Sequence, residues 1–182
     1  MRVIAGKHKG RTLRTVAGID VRPTSDRLRE TIFNILAPRI ENARFLDICA
    51  GSGAMTIEAI SRGALEVALI ESSRKALKVI YENLNSCKID AAVEILSTDA
   101  LVGLKRLNTK GSVFDIVYFD PPYKSQIYLP VLEFLANSAL LASAAIVMVE
   151  HYSKSELPEV IGRMQHYRLV KQGETSVSFY SV

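Results

Sequence analysis

The chain has 182 residues, enough for one domain with a modest extension and a substantial buried core, and its 48% hydrophobic and 23% charged content is plain globular composition. Its net charge of +4 is uneven, because residues 1–40 hold nine Lys/Arg against three Asp/Glu while the remainder holds fourteen against sixteen. Two distant cysteines, Cys49 and Cys87, lack zinc-type partners and read as free buried thiols of a reducing cytosol. The basic N-terminus has no apolar h-region, and the longest apolar tract, 129–149, is broken by Glu133, Asn137, Ser138 and Ser143, so neither a signal peptide nor a membrane span is expected.

Residues 2–5 and 11–14 read as extended pieces joined by Gly6-Lys7-His8-Lys9-Gly10, a hairpin with a basic tip. Arg2, Lys7, Lys9, Arg11 and Arg14, with Arg22 and Arg27 just beyond, form a candidate phosphate-gripping arm, since Lys and Arg supply most sequence-independent affinity for nucleic acid. A solvated terminal arm is the plainer alternative. The expected organisation is a basic arm over 1–22 and one catalytic domain over 23–182. That domain opens with an amphipathic helix on which Leu28, Ile32, Ile35 and Leu36 recur at helical spacing, with Thr24 or Ser25 as N-cap and Pro38 as terminator. Its arginine-bearing entrance can hold an RNA phosphate or a cofactor carboxylate; capping and surface ion pairs explain it nearly as well.

Residues 43–50 read as a strand, followed by Gly51-Ser52-Gly53 and a helix over 54–62 stopped by Gly63. Strand, glycine turn and helix open a nucleotide-binding α/β fold. The pattern is Asp47-x-x-x-Gly51-x-Gly53, with Thr56 where a third glycine of a dinucleotide fingerprint would stand. Asp47 suits a ligand with cationic groups and no phosphate, such as S-adenosylmethionine. A second strand, 67–71, ends at Glu71, which can accept both ribose hydroxyls; a carboxylate capping the next helix, 73–85, is the alternative. The third strand, 93–96, is followed by Asp99 and Ala100, where an adenine amine could be read.

The fourth strand, 113–119, stops at Asp120-Pro121-Pro122-Tyr123. Two prolines take the chain out of the sheet and add no competing N–H. Asp120 and the Pro121 carbonyl offer acceptors, Pro122 completes the corner, and Tyr123 offers a flat face with a polar tip, a set suited to a planar ring bearing an NH2. Asp47, Glu71, Asp99 and Asp120 all fall at carboxyl ends of strands, where open α/β sheets bind ligands. The apolar run 144–149 reads as a fifth strand, ending at Glu150 and His151, to which no chemistry is assigned. Strands over 166–170 and 176–180 about the turn 172–175 complete a doubly wound, mostly parallel seven-stranded sheet with an antiparallel closing hairpin.

These residues resemble the class I S-adenosylmethionine-dependent methyltransferases, which are Rossmann-like: Asp47 to Gly53 looks like their first motif, Glu71 like the ribose binder, Asp99 like the adenine-side residue, and Asp120 to Tyr123 like the amino-methyltransferase motif. The opening Met1-Arg-Val-Ile-Ala-Gly-Lys-His-Lys-Gly10, Arg22-Pro-Thr-Ser-Asp-Arg27, Phe33-Asn-Ile-Leu36 and Glu150-His151 resemble the bacterial RsmD family of 16S rRNA guanine-N2 methyltransferases. The resemblance spans essentially the whole chain. It implies catalysis by Asp120, Pro121, Pro122 and Tyr123, and S-adenosylmethionine bound by Asp47, Gly51, Gly53, Glu71, Ser72, Asp99 and Ala100. It implies S-adenosylhomocysteine as product, no metal, and a cytoplasmic monomer acting on 16S rRNA or a partly assembled small ribosomal subunit. Met55-Thr56-Ile57 departs from the family pattern and puts helix packing there in question. A DNA adenine-N6 methyltransferase, or a non-catalytic rRNA-binding assembly subunit, remains an alternative.

Overall fold

The computed structural model describes residues 1–16, 25–89, 93–123 and 125–182, so Arg22 and Thr24 lie outside the described residues. Runs rich in β-branched and aromatic residues form β1 (Arg44–Ile48), β2 (Glu66–Ile70), β3 (Val93–Leu96), β4 (Phe114–Phe119), β5 (Leu141–Tyr152), β6 (Val160–Ile161), β7 (Met164–Gln172) and β8 (Thr175–Ser181). Amphipathic or apolar segments form α1 (Asp26–Leu36), α2 (Ala54–Ser61), α3 (Arg74–Ser86), α4 (Ala100–Lys110) and α5 (Tyr128–Asn137).

All eight strands join one sheet in the order β3-β2-β1-β4-β5-β8-β7-β6. Strands β1 to β5 are parallel, whereas β8, β7 and β6 pair antiparallel at one edge. The sheet therefore has eight strands and not seven. The extra one, β6, has two residues and pairs with β7 through a turn at Gly162, too short to leave a period-two pattern in the sequence. Strand β5 is also longer than 144–149, which puts Glu150 and His151 inside it, opposite Val177 and Ser176.

Side chains alternate across the sheet, so each parallel strand feeds two cores. Leu46 and Ile48 pack with Leu104 and Leu107 of α4 and Leu132 and Leu135 of α5. Phe45 faces the other way, against Ile32, Phe33 and Leu36 of α1 and Met55 and Ala59 of α2. On that same side Leu77 and Ile80 of α3 cover Leu69. This is the doubly wound arrangement. Helix α1 is capped by Ser25, whose side chain accepts from the Leu28 amide. Helices α4 and α5 are not among the elements read from the sequence: α5 lies largely inside the apolar tract 129–149, which conceals its 3.6-residue period, whereas α4 is amphipathic, burying Ala100, Gly103, Leu104 and Leu107. None of the described helices is long and apolar enough to cross a membrane.

The first residues do form a hairpin: Val3 N–H donates to Arg11 O, Gly10 N–H to Val3 O and Leu13 N–H to Met1 O, each at 2.9 Å. It is docked onto α2. Val3 and Leu13 are buried against Ile57 and Cys87, and the buried Glu58 carboxylate accepts from the amides of Ile4 at 2.8 Å and Ala5 at 3.0 Å. Arg29 does not form part of an open entrance. It is fully buried, donating to Asp26 at 3.0 Å and to the Arg2 carbonyl, with Glu58 3.9 Å away. Arg27 stays exposed. A Cβ at Gly6 (φ +80°) would lie 1.7 Å from the Ser61 carbonyl oxygen. Gly6→Ala is thus expected to cost about 2 kcal/mol or more of hairpin docking, read as a lower Tm and new protease cleavage within the hairpin; an unchanged melting curve would show that the docking tolerates the side chain.

Candidate active site

The sheet order turns between β1 and β4, and in open α/β sheets such a switch point leaves a crevice at the carboxyl ends of the strands. Beyond β1 the chain reverses through three left-handed residues, Cys49 (φ +64°), Gly51 (φ +56°) and Gly53 (φ +75°). Gly53 caps α2 in that conformation, and a Cβ there would press on Ile80 at 3.3 Å, so its role is to let the turn close over α3.

Two carboxylates are tied into this turn. Glu71 accepts from Gly51 N–H at 2.8 Å on one oxygen and from Ser73 N–H at 2.7 Å on the other, which joins the loops after β1 and β2 and leaves further lone pairs for a ligand. Asp47 is almost fully buried and accepts from the amide and hydroxyl of Thr56 at 3.1 and 2.7 Å. Thr56 is therefore a specific partner, and α2 packs closely around it through Met55, Ile57 and Ala59, which answers the doubt about this segment. Burial pushes the Asp47 carboxyl up to about 7 against the lowering effect of the Thr56 bonds, with Glu71 adding a smaller upward push.

Asp120 stands at the end of β4, its amide bonded to Ile48 O at 3.1 Å. Burial, then the neighbouring charges of Glu150 and Asp47, hold its carboxyl well above the usual carboxylate range. The β4–β5 register aligns Phe119 with Val149, and one further step sets Asp120 beside Glu150. Glu150 is buried and receives the Tyr118 hydroxyl. The Tyr128 hydroxyl lies 3.3 Å from both the Pro121 and the Glu150 carbonyl oxygens, and burial next to Asp120 keeps it protonated, hence a donor. That hydroxyl braces the Pro121 carbonyl against β5. The second lone pair of the Pro121 oxygen is still able to accept.

A cavity of about 300 Å³ joins these groups. Asp47, Gly51, Glu71, Ser72, Asp120 and Pro122 line it, together with Cys49 and Tyr118, and apolar wall is added by Met1 and Val16 from the hairpin, by Met55 and by Ala76. Asp99, Ala100, Gly53, Pro121 and Tyr123 are not among its lining residues. The Asp99 carboxylate accepts from Val102 N–H at 3.0 Å as the N-cap of α4, and Ala100 is buried in the core beneath. Tyr123 turns outward, its hydroxyl 2.7 Å from that of Thr175. Cys49 and Cys87 are both free, as expected; Cys49 is only partly buried, and its thiol is pushed above its ordinary range by burial and then by Glu71, Asp120 and Asp47. His151 bonds Ser178 at 2.9 Å and the Tyr152 carbonyl at 3.0 Å, a structural role.

The sequence assigns no role to Tyr118, Glu150, Tyr128 or Thr56. Tyr118 lies two residues before Asp120 and so on the same strand face, which is the one signal the sequence held for it. Among the described residues no group of three His, Cys, Asp or Glu side chains is placed to hold a metal ion.

The positive residues expected to meet RNA divide into two groups. Lys7, Lys9, Arg11 and Arg27 are exposed. Arg2 and Arg14 are exposed too but lie 3.8 Å from Asp26 and 2.8 Å from Glu82, so their charge is partly offset.

The family described as Conserved hypothetical protein 95 matches residues 1–181. Ribosomal RNA small subunit methyltransferase D of Escherichia coli is 34% identical over 180 residues, covering 99% of this chain and 89% of that protein. The protein of the same name from Haemophilus influenzae is 30% identical, covering 99% and 91%. Among solved structures, yhhF from Escherichia coli superposes with a TM-score of 0.87 at 34% identity, covering 100% and 97% of the two chains. A protein from Thermus thermophilus superposes with a TM-score of 0.86 at 26% identity, covering 100% and 99%. The fold is that of the class I, Rossmann-like methyltransferases. With sequence and architecture agreeing from one end to the other, this chain belongs to the RsmD family, the family described as Conserved hypothetical protein 95.

Proposed function

We propose that this protein transfers a methyl group from S-adenosylmethionine to the exocyclic N2 amine of a guanine in small-subunit ribosomal RNA. The carrying observation is the single cavity into which the strand ends of β1, β2 and β4 bring Asp47, Glu71 and Asp120. Relatives in Escherichia coli and Haemophilus influenzae named for methylation of small-subunit rRNA supply the substrate class.

The donor set fits the cofactor. Glu71 has acceptor capacity for two ribose hydroxyls, Gly51 allows close approach, Met55 and Ala76 offer apolar wall, and the clustered carboxyls favour a cation. When bound, S-adenosylmethionine supplies an electrophilic methyl group on a cationic sulfur. The guanine N2 lone pair is delocalised into the ring, so the amine must be oriented. Asp120 and the Pro121 carbonyl accept its two N–H groups, and Tyr123 offers a face to the base. The amine gains a methyl group and loses one proton, and a carboxyl with raised proton affinity, as at Asp120, is a competent acceptor for it. A base reaches this corner only when unpaired or drawn from its stack.

Residues 1–22 act in this reading as the RNA-gripping arm of a cytoplasmic enzyme. Charge reversal at Lys7, Lys9 and Arg11 is expected to raise the KM for RNA and flatten its dependence on salt, as measured by methyl transfer over a salt series; an unchanged slope would remove the arm from the interface. Radiolabelled methyl transfer onto naked rRNA, DNA and partly assembled small subunits tests the function itself. Label in guanine of small-subunit rRNA is expected. Label in DNA adenine would replace this reading, and no label on any substrate would leave a binding role.

A further inference from the structure

We propose that the end of β5 and the turn behind it form a second RNA-contacting platform beside the pocket, with Tyr152 as a stacking surface for the nucleotide flanking the target base and Lys154 as a contact for the backbone phosphate. The proposal rests on the methyl-transfer reading and names where the strand around the flipped base is held.

Position is the first ground. Pro122 lines the cavity, and the next residue, Tyr123, turns out of it to reach Thr175 at 2.7 Å. Thr175 is the register partner of Tyr152 across the β5–β8 ladder, so the Tyr152 ring comes within 6.1 Å of the Tyr123 ring, tilted by 36°. The two aromatic faces thus stand side by side at the rim, one carried by the catalytic corner and the other by the sheet. Tyr123 is 37% exposed and Tyr152 half-buried, which leaves aromatic surface at the opening.

Charge is the second ground. The Lys154 ammonium lies 6.0 Å from the centre of the Tyr152 ring, is exposed, and forms no ion pair with the described residues. The turn that presents it is held by backbone bonds, Ser153 N–H to Glu174 O at 2.8 Å and Ser155 N–H to Tyr152 O at 2.9 Å. A cation over an aromatic ring that neighbours the acidic corner is poorly explained by the cofactor, which is itself cationic. A phosphodiester is the ligand it suits.

The physical need is general. Extruding a base breaks its stacking with both neighbours, and aromatic side chains restore part of that energy without reading sequence. Tyr123 serves the target base; Tyr152 then serves its neighbour, with Lys154 fixing the phosphate between them.

The test uses the full chain, tritiated S-adenosylmethionine and unmethylated small-subunit RNA and particles, with S-adenosylhomocysteine affinity as the measure of an intact fold. Tyr152→Leu, which keeps bulk but removes the ring, is expected to lower kcat/KM for RNA about tenfold or more, while Tyr152→Phe stays within about twofold of the wild type. Lys154→Ala is expected to raise the KM for RNA and to reduce the slope of log affinity against log salt by about one. S-adenosylhomocysteine binding should be unchanged in all three. The platform is overturned if the wild type methylates RNA and Tyr152→Leu and Lys154→Ala match it in KM and salt slope. A Tyr152→Leu protein that loses S-adenosylhomocysteine affinity assigns that ring to the fold, and the proposal then stands or falls on Lys154→Ala, an exposed position. A wild-type protein that methylates no RNA overturns the parent reading and the platform with it.

Discussion

Replacing Asp120 by alanine is expected to lower methyl transfer by about a thousandfold or more while S-adenosylhomocysteine affinity stays within about threefold. The side chain stands at the end of β4 on the cavity wall, whereas Asp47 and Glu71 are tied into the glycine turn after β1 through Thr56 and Gly51. Loss of cofactor affinity and turnover together would assign Asp120 to the fold. Its pH behaviour gives a second readout. The carboxylate is the form that accepts an amine N–H, and burial, Glu150 and Asp47 raise its proton affinity, so kcat/KM should climb with pH along a limb placed well above ordinary carboxylate titration. Glu150→Gln removes one of those negative neighbours and keeps an acceptor for the Tyr118 hydroxyl. The limb should move to lower pH. A limb that stays in place would separate it from Asp120.

Asp47→Asn is expected to stabilise the protein free of ligand and to weaken it as a cofactor binder. Asp47 is held at about 7, above the ordinary 3.8, chiefly by burial. A carboxyl raised on folding opposes folding once the unfolded chain sheds its proton. Below pH 4 both states are protonated and nothing is lost; between pH 4 and 7 the unfolded chain ionises first and stability falls; above 7 the full penalty remains, on the order of 4 kcal/mol from that displacement. Asparagine keeps an acceptor for Thr56 and cannot ionise. Its gain in Tm should be absent near pH 4 and greatest near pH 8, in thermal melts without ligand. The same change removes negative charge from the cavity wall, so S-adenosylmethionine affinity at pH 8 should drop about tenfold or more by calorimetry. A variant with unchanged melting at both pH values would show that Asp47 is not held protonated in the folded chain. Such a strained carboxyl at a ligand site is an ordinary exchange of stability for function.

Local chemistry carried much of this protein into its sequence. Strand, glycine turn and helix around Asp47 to Gly53 were legible because each needs a particular residue type: apolar alternation, left-handed glycine, an apolar helix face. Asp120-Pro121-Pro122-Tyr123 was legible because two prolines after a strand admit few conformations. Ser25 could be named as a cap, and the basic hairpin tip lies between two glycines as read. Those are short-range effects, set within a few residues.

What the sequence left open depended on which segments touch. Asp99 reads like the other acidic strand ends, yet it is not among the cavity's lining residues, and one of its carboxylate oxygens caps α4. Arg29 sits among exposed arginines in the sequence, yet the folded hairpin encloses it beside Glu58. Tyr118, Glu150 and Tyr128 gain their roles from the register of β4 against β5 and from the packing of α5, pairings that join residues far apart along the chain. The sequence by itself determined the acceptor corner and the carboxylate-glycine turn, because proline, glycine and strand alternation act locally. Only the tertiary structure decided that the two face one cavity, which acids surround Asp120 and raise its proton affinity, and which basic residues remain at the surface, because electrostatics and burial depend on distance in space and not along the chain.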